Sequence, residues 1–139
     1  MIVLDTNVIS ELMRKKPDPN VLRWTDRQDP QIIFTSAITA AELLSGLEQM
    51  PAGKTRNELG HRMHIALEEG FRGRILAFDE SCAMHFARIF ARRRAMGRKI
   101  GEPDAMIAAI CSRHEFKVAT RDVDGFSGCG VDVINPWTD

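Results

Sequence analysis

The chain opens with a short apolar run, residues 2–4, which is followed immediately by Asp5. Three consecutive apolar residues, two of them β-branched, are typical of a strand buried on both faces, as the central strands of parallel sheets are. In open α/β sheets the ligand lies beyond the carboxyl ends of the strands. The run therefore predicts a central strand and places the Asp5 carboxylate where a functional site would form. Taken alone, Asp5 or Asn7 is more simply explained as the cap of a helix over residues 8–13.

Strand patterns alternate with helical patterns along the rest of the chain. Further strands are predicted over residues 32–35, 74–78, 117–120 and 131–134. Helices are predicted over residues 8–13, 21–24, 40–48, 56–69, 80–96 and 103–114. No hairpin signal joins two strands, so the pattern indicates an α/β fold with a parallel sheet. No repeat, low-complexity tract or linker divides the chain, and one domain over residues 1–139 is expected.

Composition excludes some functional classes and leaves others open. The 19 basic and 19 acidic residues cancel, so bulk charge argues neither for nor against a nucleic-acid partner. The three cysteines are widely spaced and form no metal-ligand pattern, which favours reduced thiols in a cytoplasmic protein. No apolar run approaches the roughly 20 residues that a membrane span needs, and no signal peptide is recognisable.

Four acidic residues occupy positions that a parallel sheet would bring to one edge. Asp5 ends the first strand, and Asp122 follows the fourth. Glu42 lies in the first turn of the helix after the second strand, and Asp104 lies in the first turn of the helix before the fourth. We expect these four carboxylates to converge.

Each carboxylate, taken singly, also has a purely local explanation. Glu42 fits a capping box that begins at Thr39. Asp104 interacts favourably with the dipole of its helix, and Asp122 suits the start of a turn. The local explanations lose weight because no lysine or arginine is placed to pair with Asp5, Glu42 or Asp104, and converging carboxylates without cations repel one another.

A hard divalent cation would relieve that repulsion, and oxygen-only ligands suit Mg²⁺ or Mn²⁺. Such an ion activates water and stabilises charge on a phosphoryl oxygen. The pattern therefore predicts phosphodiester hydrolysis, with Asp5, Glu42, Asp104 and Asp122 as metal ligands and catalytic residues. The four histidines, by contrast, form no recognisable ligand set.

A basic segment precedes Asp104. Residues 81–101 contain no acidic residue and hold Arg88, Arg92, Arg93, Arg94, Arg98 and Lys99. The segment is either a patch that holds a phosphate backbone beside the acidic site or an ordinary solvated helix face. In the first case the contacts to the phosphate backbone would come from Arg88, Arg92, Arg93, Arg98 and Lys99, the candidate nucleic-acid-binding residues.

The chain resembles the PIN-domain family, and within it the toxin ribonucleases of bacterial type II toxin–antitoxin pairs. Four segments in order carry the resemblance: residues 4–7 (LDTN), 40–43 (AAEL), 103–109 (PDAMIAA) and 119–122 (ATRD). The closing Asn135-Pro136-Trp137 is similar to the branch of plasmid-stability and fast-intracellular-trafficking toxins.

The resemblance implies a PIN-like three-layer fold whose five-stranded parallel sheet, in order 3-2-1-4-5, is flanked by helices. It implies that Mg²⁺ or Mn²⁺ is held by the acidic quartet and that Thr6, Asn7 and Thr120 support it, with Asp124 as a further acidic candidate. The activity would be endonucleolytic cleavage of RNA. A homodimer is also implied, with a cognate antitoxin that blocks the pocket and brings the complex to operator DNA.

Two other functions are compatible with the residues. One is a regulatory subunit that forms a DNA-binding complex with its antitoxin and has little nuclease activity. The other is a phosphatase similar to the haloacid dehalogenase group, with Asp5 as nucleophile. That chemistry usually requires a second aspartate two positions on, where this chain has Asn7.

Overall fold

A computed structural model describes all residues, 1–139. Five parallel strands form one sheet in the order β3-β2-β1-β4-β5. They are β1 (Ile2–Leu4), β2 (Ile33–Ser36), β3 (Ile75–Leu76), β4 (Lys117–Ala119) and β5 (Val133–Ile134). The predicted parallel sheet and its strand order are confirmed.

Seven α-helices flank the sheet. They are α1 (Thr6–Leu12), α2 (Pro19–Asp26), α3 (Ala37–Glu48), α4 (Lys54–Ile65), α5 (Glu80–Ala95), α6 (Glu102–His114) and α7 (Val123–Phe126). A 3₁₀ turn, Pro30–Ile32, precedes β2, and a π-helical turn, Ala66–Gly70, follows α4 directly. None of these helices combines the length and the apolarity that a membrane-spanning segment requires.

Strand β1 lies at the centre because both of its faces are apolar. Ile2 and Leu4 point into one hydrophobic cluster, which includes Val8, while Val3 points into a second cluster, which includes Val118. Side chains alternate between the two faces of a strand, so three apolar residues in succession supply both layers. The carboxyl end of β1 is thereby fixed in the middle of the sheet edge.

Helix α3 begins earlier than its predicted first residue, 40. Ser36 is its N-cap, and the Ser36 hydroxyl accepts a 3.0 Å hydrogen bond from the backbone N–H of Thr39. The capping box from Thr39 to Glu42, the local alternative for Glu42, is therefore not formed, and Glu42 lies in the second turn of α3, one turn further along than expected. Its carboxylate is thus not committed to a cap.

Element ends differ from the prediction mainly at the sheet edges. Strands β3 and β5 have two residues each, since each pairs with only one neighbour and leaves the ladder early. The helix predicted over residues 56–69 is α4 followed by the π-helical turn. Helix α7 was expected only as a turn, and it forms because the Asp122 carboxylate caps it.

The buried face of α5 includes a charged residue. Cys82, Ile89 and Arg93 are buried, whereas Ala83 and Ala87 are exposed. Helical spacing shows which residues share a face of the helix. In a run that contains both alanines and arginines, it does not show which face packs against the rest of the protein. One of the three buried side chains of α5 is thus positively charged.

Candidate active site

The four predicted carboxylates line one cleft of about 500 Å³ at the carboxyl edge of the sheet. Asp5 and Asp122 follow the adjacent strands β1 and β4, which pair from Ile2 with Lys117 to Leu4 with Ala119. Glu42 reaches the cleft from α3 and Asp104 from the first turn of α6. The fold therefore brings together residues that are spread over more than a hundred positions of the sequence.

Asp5 is the fixed member of the group, with an exposed fraction of only 4%. Its Oδ1 accepts a 2.8 Å hydrogen bond from the backbone N–H of Thr6, which caps α1. Its Oδ2 accepts from the Thr120 hydroxyl at 2.8 Å and from Asn7 Nδ2 at 3.2 Å. Burial raises the pKa of Asp5, and the hydrogen bonds from Thr120 and Thr6 oppose that rise.

Thr120 and Asn7 connect β1 to β4 around this carboxylate. The Thr120 hydroxyl oxygen accepts from Asn7 Nδ2 at 3.1 Å and from the backbone N–H of Asp122 at 3.0 Å. Asn7 Oδ1 accepts a 3.1 Å hydrogen bond from the backbone N–H of Arg121. Both side chains therefore orient acidic residues.

Thr6 serves Glu42 in a similar way. The Thr6 hydroxyl lies 2.8 Å from Glu42 Oε1 and donates to it. The hydroxyl of Thr39, a buried residue in the first turn of α3, lies 3.2 Å from the same Thr6 oxygen. Since Glu42 itself is exposed, this hydrogen bond is what holds its carboxylate over the cleft.

Asp104 is partly buried, and its pKa is raised to about 6. The largest cause is loss of hydration, followed by the negative charges of Asp5, Asp122 and Glu42. The positive charge of Arg93 acts in the opposite direction. The neighbouring carboxylates thus add to the effect of burial and disfavour ionisation of Asp104.

Asp122 combines a local role with its place in the cleft. Its Oδ1 accepts a 3.0 Å hydrogen bond from the backbone N–H of Gly125 and so starts α7. The local explanations offered for Asp5 and Asp122 therefore coexist with their position in the cleft. Asp124 is exposed and is not one of the residues that line the cleft.

No quartet member forms an ion pair: the ion pairs of the structure join Arg14 to Glu11, Lys54 to Glu58 and Arg56 to Glu48. The quartet offers only oxygen ligands, which fits a hard divalent cation. The side chains as they stand do not form a ready-made site, because no three carboxylate, imidazole or thiol groups come close enough together to hold an ion.

The cleft also contains residues that were not predicted from the sequence. Helix α1 and its end contribute Ser10, Glu11 and Arg14. They follow Asn7 at positions i+3, i+4 and i+7, so helical spacing counted from Asn7 could have identified them. The opposite rim carries Arg121, whose guanidinium carbon lies 5.3 Å from the centre of the Trp137 ring.

The arginines and the lysine of the basic segment differ in their exposure to solvent. Arg88, Arg92, Arg98 and Lys99 are exposed. Arg93 is buried, with an exposed fraction of 4%, and its guanidinium donates hydrogen bonds to backbone carbonyls. We therefore withdraw Arg93 from the predicted RNA-binding set, because a side chain committed inside the protein cannot also contact a phosphate outside it.

Comparison with known proteins is consistent with this arrangement. The PIN domain family model matches residues 2–128. The chain is 46% identical to the VapC ribonuclease Y4jK of Sinorhizobium fredii, over 99% of this chain and 98% of that protein. It is 44% identical to the plasmid stability protein StbB of Pseudomonas syringae pv. tomato, over 99% of both chains. It is 42% identical to the toxin FitB of Neisseria gonorrhoeae over the full length of both.

Two solved structures have nearly the same fold as this chain. The crystal structure of FitAcB from Neisseria gonorrhoeae superposes with a TM-score of 0.94 at 41% identity and covers the whole of both chains. The structure of FitAB bound to an IR36 DNA fragment superposes with a TM-score of 0.93 at 42% identity, over 99% of this chain and 96% of that one. With the family model covering nearly the whole sequence and the relatives all of it, the chain belongs to the PIN domain family.

Proposed function

We propose that this protein is the ribonuclease toxin of a toxin–antitoxin pair and hydrolyses RNA phosphodiester bonds with Mg²⁺ or Mn²⁺. The observation that carries the proposal is the convergence of four carboxylates, without a paired cation, on the cleft of a PIN domain. The names of the relatives, a VapC ribonuclease and the toxin FitB, support the substrate class and the biological role.

The residues that would hold the ion are Asp5, Asp104, Glu42 and Asp122. When bound, Mg²⁺ or Mn²⁺ lowers the pKa of a coordinated water and stabilises charge on the phosphoryl oxygens. Asp5 is buried and its carboxylate accepts three hydrogen bonds, whereas the exposed Glu42 and Asp122 carboxylates accept one each, so these two side chains can shift toward the position that Asp5 fixes. This division of roles explains how a group that is not ready-made could close around an ion.

The remaining polar residues hold these carboxylates in place. Thr120 and Asn7 orient Asp5, and Thr6 orients Glu42. Because burial and like charges raise the pKa of Asp5 and Asp104, a divalent cation in the cleft would favour the ionised form of both.

The rim of the cleft supplies groups suited to RNA. The exposed Arg121 guanidinium can bind a phosphate, and the Trp137 indole can stack on an unpaired base. We retain Arg88, Arg92, Arg98 and Lys99 as proposed contacts to more distant phosphates.

A cytoplasmic homodimer that binds its antitoxin, and operator DNA through that antitoxin, completes the proposal. The DNA-bound FitAB structure, which resembles this chain over nearly its whole length, supports the partner and the DNA. The same observation favours a second candidate function, a regulatory subunit with little nuclease activity. The haloacid-dehalogenase-like phosphatase is set aside, since the chain belongs to another family.

The decisive experiment is cleavage of a varied set of RNAs by the purified protein with Mn²⁺. We expect the wild type to cut and Asp5→Asn to be inactive while it unfolds as cooperatively as the wild type. Glu102→Gln is the matched control, because Glu102 lies in the same helical turn as Asp104 but outside the cleft. Equal inertness of the wild type and Asp5→Asn on all RNAs would favour the regulatory subunit.

A further inference from the structure

Arg93 is the only buried lysine or arginine of the structure, and its hydrogen bonds are unusual. It lies in the last turn of α5 and forms no ion pair. Instead its Nη1 donates to the backbone carbonyls of Asp124 at 3.0 Å and Ser127 at 2.6 Å. Its Nη2 donates to the carbonyl of Lys99 at 2.8 Å. One guanidinium thus joins two separate segments of backbone.

Each of these segments leads to a carboxylate of the cleft. Lys99 lies in the turn between α5 and α6, five residues before Asp104. Asp124 lies two residues after Asp122, in α7, and Ser127 follows that helix directly. The planar, five-donor fork of arginine is well suited to span two such segments, whereas the single ammonium group of lysine is not.

The end of α5 fits closely against the second segment at other points. Gly128 and Gly130 both have a φ of +76°, and a Cβ at Gly128 would lie 2.7 Å from Met96 Sδ. A Cβ at Gly130 would collide with the Arg92 guanidinium, and the Arg98 guanidinium donates to the Ser127 hydroxyl. The end of α5 and the turn after it therefore pack against residues 127–130, the segment that follows α7.

Fold stability alone is a weak reason for this arrangement. A buried arginine is usually paired with a carboxylate, but Arg93 is not, and its Nε has no hydrogen-bond partner. Replacing a buried charged group by a well-packed apolar one is often neutral or stabilising. The hydrogen bonds of Arg93 instead fix two backbone segments relative to each other, which is the property that a shared ion site requires.

We propose that Arg93 is a positioning residue that sets the spacing between Asp104 and Asp122 and thereby the affinity of the cleft for a divalent ion. The inference rests on the metal-dependent function proposed above. Groups that orient metal ligands typically change metal affinity by about 10–100-fold when they are removed. The effect of Arg93 should therefore appear in ion binding itself, without any RNA present.

The test measures Mn²⁺ binding by calorimetry in the full-length protein for the wild type, Arg93→Met, Arg93→Lys and Arg94→Met. We expect Arg93→Met to bind Mn²⁺ at least about tenfold more weakly while it still unfolds cooperatively. Arg93→Lys should show an intermediate loss, because the charge is kept but only one segment is held. Arg94→Met removes an exposed neighbouring charge and should match the wild type.

Hydrogen exchange provides a second readout that does not depend on the ion. Amides of residues 123–130 should exchange faster in Arg93→Met than in the wild type, while amides of β1 should be unchanged. A variant with lower thermal stability but an affinity for Mn²⁺ within about twofold of the wild type would overturn the proposal, since the expected loss is tenfold. If Arg93→Met does not fold, the affinity of Arg93→Lys decides by the same criterion.

The two proposals can fail separately. Absence of Mn²⁺ binding by the wild-type protein would overturn the metal-dependent function and the role of Arg93 with it. Binding by the wild type, with unchanged affinity in both Arg93 variants, would overturn only the role of Arg93.

Discussion

The Thr120 hydroxyl donates a 2.8 Å hydrogen bond to Asp5 Oδ2, across 115 positions of the sequence. The two residues follow Leu4 and Ala119, which are register partners in the central pair of parallel strands. Register thus brings a hydroxyl directly to Asp5, the most buried carboxylate of the cleft. This hydrogen bond also opposes the effect of burial on the pKa of Asp5.

Thr120→Val should reduce stability, and more so at pH 8 than at pH 5. Without the hydroxyl, the pKa of Asp5 rises further above its ordinary value, so ionisation of Asp5 destabilises the folded state more. We expect a loss of about 1–2 kcal/mol at pH 8, the typical cost of a missing donor to a buried charged group. Urea unfolding at the two pH values measures it.

Thr120→Ser is the control, because it keeps the hydroxyl and should stay close to the wild type at both pH values. An equal loss at pH 5 and pH 8 in Thr120→Val would mean that packing, and not the bond to Asp5, accounts for the effect.

Asp104→Asn should stabilise the protein at pH 7.5 and lose that advantage near pH 4. The pKa of Asp104 is raised from 3.8 to about 6, so the folded protein holds its proton more tightly than the unfolded chain. The wild type therefore loses stability as pH rises from 3.8 to about 6, and the penalty is complete above that. Because Asp104 is only partly buried, we expect a gain of about 1 kcal/mol at pH 7.5.

Urea unfolding between pH 4 and pH 7.5 measures the gain, with Glu102→Gln as the exposed control in the same turn. A pH-independent difference between Asp104→Asn and the wild type would show that the repulsion among the carboxylates is not its source.

Mn²⁺ should raise the unfolding temperature strongly at pH 7.5 and little at pH 5. The raised pKa values of Asp5 and Asp104 mean that protons compete with the ion as pH falls. Thermal scans at fixed Mn²⁺ concentration measure the shift, which follows from ligand binding to the folded state alone. The prediction fails if the shift is equal at both pH values or absent at both.

Thr6→Val should lower the rate of RNA cleavage by about tenfold with little loss of stability. The Thr6 hydroxyl orients the exposed Glu42 carboxylate, and supporting residues of this kind typically contribute about 10–100-fold. Cleavage rates at saturating Mn²⁺ and urea unfolding together measure the effect. Thr6→Ser should retain most of the activity, and an unchanged rate in Thr6→Val would remove Thr6 from the site.

Trp137 should report on RNA binding. The chain has two tryptophans, and Trp24 is buried, so Trp24→Phe leaves Trp137 as the only emitter. We expect single-stranded RNA, added in EDTA to prevent cleavage, to quench its fluorescence through base stacking. Arg121→Gln should weaken that titration. RNA that binds, as judged by its own anisotropy, without changing Trp137 emission would contradict contact at this rim.

The sequence alone predicts much of the fold for an identifiable reason. Residues 2–4 must be buried on both faces, and strands that alternate with helices without hairpins can only be parallel. The positions of Asp5 and Asp122 follow, because the carboxyl ends of parallel strands meet at one edge. Helix starts were less predictable: Ser36 displaced the expected start of α3, since a buried hydroxyl at the end of β2 provides a better cap than Thr39.

Only the tertiary structure determined which of the positively charged side chains are buried and which are exposed to solvent. In the sequence, Arg92, Arg93 and Arg94 are equivalent neighbours, but Arg93 alone is buried, because the backbone carbonyls of distant segments offer it partners. The contact between the Arg121 guanidinium and the Trp137 ring also depends on tertiary structure, because it forms only where residues 135–139 pack beside β4. Local sequence patterns determine the helices and strands and the sheet edge at which the carboxylates meet. Long-range packing determines which arginine is buried near them, since the groups that bind its guanidinium lie elsewhere in the chain.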